Sequence, residues 1–217
     1  LKRAGVTEIL SLSACGSFKE ELDPGTFVIV DQFIDRTFAR VKSFFETGMV
    51  AHVGFGHPVC SRLGDALEEG AKTLGIKTQR GGTYLAMEGP QFSTLAESEL
   101  YRSWGCDVIG MTNMPEAKLA REAELCYATV AMVTDFDCWH PDHDHVTVDA
   151  IIKVLIGNAE NARALVKSVT PTLSGRKITC QAGCQTALDN AIITQPDARD
   201  PKMIKKLSAV AGRALGD

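Results

Sequence analysis

The sequence predicts an α/β fold: a mixed central β-sheet flanked by helices on both faces. Three observations carry this. Short β-branched runs alternate with longer helical patterns. The run Cys126–Val133 is apolar at almost every position, as a strand covered on both faces must be. Glycines and prolines stand where one pattern gives way to the next. A length of 217 residues suits one domain with a sizeable core, so a single domain over 1–217 is expected.

The chain begins Leu-Lys-Arg-Ala-Gly with no Met, which reads as the last turn of a helix closed by Gly5. A preceding N-terminal segment is therefore expected. Thr7–Leu12 and Thr26–Gln32 read as strands, followed by a loop from Arg36 to about Cys60. Ser61–Leu74 has the spacing of an amphipathic helix closed by Gly75. Ile76–Met87 reads as one long strand interrupted at Gly81-Gly82. Thr94–Trp104 is a helix stopped by Gly105, Asp107–Met111 a strand, and Pro115–Glu124 a helix with proline in its first turn. Beyond the apolar strand, Val146–Val169, Thr179–Ile192 and Pro201–Ala214 read as helices. The break at Pro171–Gly175 sets off residues 176–217 as a C-terminal helical tail of the same domain.

Bulk properties remove several classes of function. Net charge is −4 with acids and bases interspersed, so there is no basic footprint for nucleic acid. No apolar run approaches the ~20 residues of a membrane span, and no secretory signal pattern is visible. Seven cysteines, odd in number and irregularly spaced, suit the reduced thiols of a cytoplasmic protein better than a disulfide framework. Cys180 and Cys184 form a CxxxC pair. With no second pair at metal-like spacing it is read as structural, and no metal site is expected.

The candidate chemistry collects at strand ends, where open α/β sheets bind ligands. Ser11-Leu12-Ser13-Ala14-Cys15-Gly16-Ser17 offers hydroxyls, small residues and free backbone N–H groups, which suit an anion. Met87-Glu88-Gly89-Pro90-Gln91-Phe92-Ser93 brings an acid and an aromatic, and Gly110-Met111-Thr112-Asn113 ends the next strand. Thr134-Asp135-Phe136-Asp137 closes the apolar one. If residues 134–137 stay extended, both aspartates face the same way. Such a half-buried carboxylate pair must be hydrogen-bonded or share a proton. Trp139 to His145, rich in His and Asp, is read as a solvated mobile lid rather than a metal cluster. Cys138 is read as packing, not as a nucleophile.

The motifs EGPQFS–AES, MTNMPEA, LAREAELCYA and TDFDCW, with SACGS and VDQFIDRT upstream, resemble the trimeric purine nucleoside phosphorylases, in the branch that acts on 5′-methylthioadenosine. The resemblance covers nearly the whole chain. It implies an α/β homotrimer catalysing phosphorolysis of 5′-methylthioadenosine to adenine and 5-methylthioribose 1-phosphate, with phosphate as co-substrate and no cofactor. It implies that Ser13, Ala14 and Thr112 bind phosphate, that Phe92 stacks on the base or ribose, and that Met111 lies under the ribose. Thr134 belongs to the substrate site. Asp135 serves purine N7 and Asp137 the 6-amino group, as the catalytic pair. Val148 and Ile151 line an apolar 5′ pocket, and His52 is lent to it by a neighbouring subunit. Members acting on 6-oxopurines carry Asn at the position of Asp135 and Glu at that of Ser93, so the 6-aminopurine reading is favoured. The resemblance also implies N-terminal strands ahead of Leu1 that contribute to the phosphate site. A 5′-methylthioinosine or broader purine nucleoside phosphorylase, a hydrolytic nucleosidase and an inactive nucleoside-binding remnant remain open at this stage.

Overall fold

The computed structural model describes residues 1–141, 148–174 and 180–216, with side chains of the long helix from Ile152 onward. Among these residues, seven strands form one mixed sheet: β1 (Glu8–Ser17), β2 (Phe27–Ile29), β3 (Gln32–Asp35), β4 (Thr78–Arg80), β5 (Thr83–Ala86), β6 (Val108–Gly110) and β7 (Cys126–Asp135). Their spatial order is β3-β5-β6-β1-β7-β2-β4. Helices α1 (Ser61–Thr73), α2 (Leu95–Ser103), α3 (Glu116–Glu122), α4 (Val148–Leu173) and α5 (Pro201–Leu215) surround it.

β7 explains the architecture. Cys126, Ala128, Val130 and Met132 enter a core with Leu63 and Leu67 of α1 and Leu165 and Val169 of α4. Tyr127, Ala131 and Val133 enter a second core with Ala117 and Ala120 of α3. Alternate side chains thus serve opposite faces, and both faces are dry. α2 covers a third cluster of Phe18, Leu85, Tyr101, Cys106 and Ile109. A capping box in which Thr94 and Glu97 satisfy each other's backbone N–H starts that helix directly after Ser93.

Two expected strands are each divided. Thr26–Gln32 becomes β2 and the start of β3, and Ile76–Met87 becomes β4 and β5. Gly81 (φ 84°) and Gly82 (φ 143°) turn the backbone through conformations closed to other residues. Asp31 holds the turn by accepting the Gly82 N–H at 3.0 Å. β2 runs parallel to β4 and β3 parallel to β5, so the two halves form one ribbon. One half pairs with β7 and the other with β6, at opposite ends of the sheet order. A sheet whose two edges are halves of one ribbon has to curl.

The expected helix over Thr179–Ile192 does not form across its described part, 180–192. A 3₁₀ turn at Cys184–Thr186 replaces it, bounded by Gly183 (φ 68°) and Asn190 (φ 60°). Glu124 Oε1 takes the Leu188 N–H at 3.0 Å, removing a donor a helix would need. The long helix, expected to end at Val169, continues through Pro171: α4 stops at Leu173, within the expected break at Pro171–Gly175. Leu188, Met203, Leu207 and Ala211 pack on Phe45 and Met49, so the C-terminal segment holds the 36–60 loop against the domain.

Asp35, at the end of β3, accepts from Thr37 N at 2.9 Å and Lys42 Nζ at 2.9 Å, and pairs with Lys118 of α3. Burial opposes its ionisation, but Lys118, Thr37 and Lys42 outweigh it and hold the carboxyl well below the usual range. A depressed folded-state pKa stabilises above the unfolded value of ~3.9, and that contribution fades as pH falls below it. Asp35→Asn is therefore expected to cost on the order of 2 kcal/mol at neutral pH. In urea melts its deficit should shrink from about pH 4 downward; a deficit independent of pH would refute the assignment.

Candidate active site

A parallel register from Glu8↔Cys126 to Met132↔Ala14 sets β1 beside β7, and a bulge at Cys15/Gly16 then brings Gly16 opposite Asp135. Bulges re-aim side chains beside functional sites. From Ser13 to Gly16 the strand advances about 10 Å at ~3.3 Å per residue. A hydroxyl cluster lies at the first end and the acids at the second.

Ser13 Oγ lies 2.7 Å from Thr112 Oγ1, and Tyr84 Oη lies 3.1 Å from the same atom. The Thr112 N–H donates to Tyr84 Oη at 3.3 Å. Each hydroxyl both donates and accepts, so the cluster can turn an O–H toward an anionic ligand. Tyr84 reaches Thr112 because position 110 is glycine: a Cβ there would stand 2.0 Å from the phenol oxygen. Ala14 is exposed beside Ser13. Behind them Asn113 Oδ1 accepts from Tyr127 Oη at 2.7 Å and from Ser11 Oγ at 3.4 Å.

At the acid end, the expectation of an extended Asp135–Asp137 segment is corrected. β7 stops at Asp135, and Asp137 adopts φ 53°, a left-handed conformation that aspartate tolerates better than most residues. Its N–H donates to Asp135 Oδ1 at 2.8 Å, so a turn, not the strand pleat, gathers the two acids. Thr134 Oγ1 donates to Asp135 Oδ2 at 2.7 Å and lies 3.1 Å from the Cys15 carbonyl. Ser93 Oγ donates across both Asp137 oxygens, at 3.0 and 2.9 Å. Gly16 admits the pair: a Cβ there would lie 3.0 Å from Asp135 Oδ1 and 3.3 Å from Asp137 Cβ. Both carboxylates keep free lone pairs and are only half-buried, so they can accept from a planar ligand or carry a proton to it.

The neighbouring thiols are inert. Burial, then the charge of Asp135, pushes Cys15 well above its ordinary value. Burial, then Asp137, raises Cys138 as well. Neither is a thiolate nucleophile. Trp139 closes this end, donating Nε1–H to the Ser17 carbonyl at 2.7 Å, with the Arg102 guanidinium 3.6 Å from its ring centroid. The expected lid over 139–145 falls largely on residues outside those described.

Phe92, next to Ser93, is 84% exposed. Met111 lies beside Gly89, where a Cβ would come 2.5 Å from its sulfur. His52 is exposed, and its backbone N–H donates to the Ala191 carbonyl at 2.9 Å. Val148 and Ile151 lie on the first turn of α4, and their side chains fall outside the described part. Sequence reasoning missed Tyr84 and Arg40. Arg40 Nη1 donates to the Met111 carbonyl at 2.8 Å, Nη2 to the Glu88 carbonyl at 2.9 Å, and Nε to Glu88 Oε1 at 3.3 Å. It ties the ends of β5 and β6 together. A lone arginine in a loop has no periodicity to betray it. The Ser93 geometry implies that Ser93→Ala leaves Asp137 unaimed. Loss of a hydrogen bond to a charged group is expected to raise the substrate KM about tenfold with kcat little changed, and an unaltered KM in steady-state assays would refute that role.

A family model described as the phosphorylase superfamily matches residues 1–171. S-methyl-5′-thioadenosine phosphorylase of Rhodospirillum rubrum is 68% identical over 216 residues, all of this chain and 74% of its own length. The protein of the same name from Gloeobacter violaceus is 50% identical, over 98% of this chain and 72% of its own. Among solved structures, a methylthioadenosine phosphorylase from an antarctic soil metagenomic library superposes with TM-score 0.91 at 44% identity, covering 97% of this chain and 74% of that one. The Schistosoma mansoni methylthioadenosine phosphorylase in complex with adenine gives TM-score 0.80 at 32% identity, covering 87% and 73%. This chain belongs to the phosphorylase superfamily, in the family of these S-methyl-5′-thioadenosine phosphorylases.

Proposed function

We propose that this chain catalyses phosphorolysis of 5′-methylthioadenosine, yielding adenine and 5-methylthioribose 1-phosphate, a salvage reaction for purine and methionine carbon. One observation carries the reading. An anion-suited hydroxyl cluster gathers at Ser13 of β1, and a hydrogen-bonded acid pair gathers beside Gly16, about 10 Å further along the same strand at ~3.3 Å per residue. Ser13, Ala14 and Thr112 take phosphate, and Met111 and Phe92 bound the ribose and base. Thr134 orients Asp135. The departing adenine accumulates negative charge, and Asp135 relieves it through a proton or hydrogen bond at N7. Asp137 accepts from the 6-amino group. Phosphate is a co-substrate, and the reaction takes no metal or organic cofactor.

Val148 and Ile151 line the methylthio end, and His52 reaches it from a second subunit of a homotrimer. Phe38, Val41 and Phe92 are 82%, 79% and 84% exposed, apolar side chains of the kind that a contact between subunits would cover. Nucleic acid is not a partner. No helix among the described residues is long and apolar enough to cross a membrane, and seven free thiols suit a cytoplasmic enzyme.

Adenine release from 5′-methylthioadenosine, measured with and without phosphate, tests the reading. Release that depends on phosphate is expected. Release without it would make the protein a nucleosidase, and no release under either condition would leave the acids as a binding site only.

A further inference from the structure

Four cysteines that the proposed reaction does not use meet at one point. Cys60 is the N-cap of α1, Cys126 opens β7, and Cys180 and Cys184 bracket the turn into the C-terminal 3₁₀ segment. All four are buried, and their sulfur atoms all lie within 4.8 Å of one another. The CxxxC motif, which lacked a second ligand pair in sequence, meets Cys60 and Cys126 in space. We propose that Cys60, Cys126, Cys180 and Cys184 bind one zinc ion as a tetrathiolate site that fastens the C-terminal segment to the sheet.

The geometry suits a single tetrahedral ion. Zinc–thiolate bonds of ~2.3 Å place tetrahedral ligand sulfurs about 3.8 Å apart, and Cys60 Sγ lies 3.6 Å from Cys180 Sγ. A disulfide needs ~2.05 Å, and all four are free thiols. The spacing Cys180-x₃-Cys184 falls within the C-x₂₋₄-C range of structural zinc sites. An all-sulfur set is soft and selects zinc or iron–sulfur centres. A multinuclear cluster would force the sulfurs further apart than they stand here.

The surroundings are those of an anionic centre. Four thiolates around Zn²⁺ leave a net double negative charge, and Arg62, which also pairs with Glu8, stands beside them with Nη2 3.8 Å from Cys126 Sγ. Arg62 Nε is buried without a hydrogen-bond partner. Cys60 stands at the N-terminus of a 13-residue helix whose first turn no side chain caps, so the free N–H groups there favour a thiolate. The consequence reaches the 36–60 loop: the segment the ion would anchor continues to Ala191 and Ile192, which hold His52 and Ala51.

Elemental analysis of the full chain, purified in reducing buffer without chelator, is expected to find one zinc per chain. X-ray absorption at the zinc edge should show four sulfurs at ~2.3 Å. Cys180→Ser with Cys184→Ser should reduce zinc to background, whereas Cys106→Ser should leave it unchanged. Because the double variant can fail to fold, the intact chain is also stripped by chelation under reductant and reloaded with zinc alone or magnesium alone. Zinc is expected to restore a Tm that stripping lowers, and magnesium is not. Cobalt alone should give the intense sulfur-to-metal bands of a tetrahedral thiolate site. The inference is overturned by iron instead of zinc, by nitrogen or oxygen ligands at the edge, or by a disulfide among the four under reductant. Failure of the reduced, stripped chain to take up zinc or cobalt also overturns it, as does zinc retained in the double variant. Metal content is read without turnover, so these outcomes are separate from the fate of the proposed reaction.

Discussion

Asp135→Asn is expected to lower kcat/KM for 5′-methylthioadenosine about 10²–10⁴-fold, the usual worth of a positioned general acid. The substitution is isosteric. The amide oxygen can still accept the Asp137 N–H that now reaches Asp135 Oδ1 at 2.8 Å. The Thr134 hydroxyl, 2.7 Å from Oδ2, can rotate to accept from the new amide instead of donating. Stability and shape should therefore persist, and the loss should fall on chemistry. On the proposed role, the variant would lose the proton that Asp135 offers N7 as the base departs. An amide donor also suits a purine carrying oxygen at C6, so the ratio of activity on 5′-methylthioinosine to that on 5′-methylthioadenosine should rise. Steady-state kinetics on both nucleosides, beside a melting curve, separate these effects. Unchanged kcat/KM and unchanged preference in a folded variant would remove Asp135 from the mechanism. Asp137→Asn should behave differently, raising KM for the 6-amino substrate more than it lowers kcat, because its contact is made before the bond breaks.

Arg40→Met should be the most damaging change outside the acids. The guanidinium bonds the carbonyls of Met87 and Glu88 after β5, those of Met111 and Met114 after β6, and the Glu88 carboxylate. Its side chain is 20% exposed, so water replaces these contacts poorly. Methionine keeps the stem and removes every donor, leaving half-buried carbonyls without partners. A loss of about 3 kcal/mol follows, or roughly 6–12 °C in Tm for a chain of this size. Glu88 keeps the Phe38 N–H at 2.7 Å and the Ala39 N–H at 3.2 Å, so the loop does not detach outright. The functional effect comes from Met111, whose carbonyl Arg40 would no longer pin beside Thr112, and KM for both nucleoside and phosphate should rise. Arg40→Lys, one point charge in place of a planar fork, should recover only part of the stability. Equal denaturation midpoints and equal KM values for all three proteins would show that Arg40 is not a clamp.

Continuous apolar character marked β7 as buried on both faces, and hydroxyls, an aromatic and paired acids marked the strand ends as a site. Amphipathic spacing located α1, α2 and α5 to within a residue or two. These are local properties, written in neighbours along the chain, and the long family motifs share that character. Whether Ile76–Met87 is one strand or two was decided in space, by left-handed glycines braced by Asp31 and by different partners for β4 and β5. The geometry of the acids was likewise decided there: Asp137 turns back on Asp135 because Gly16 of β1 leaves room. Helical spacing over 180–192 gave way because Glu124 takes a backbone donor from that segment. Arg40 and Tyr84 entered the site, and four distant cysteines met, only once the sheet had curled. Periodicity reports which face of an element is buried. It is silent on which distant residues share a point, because that depends on chain closure and pairing rather than on sequence neighbours.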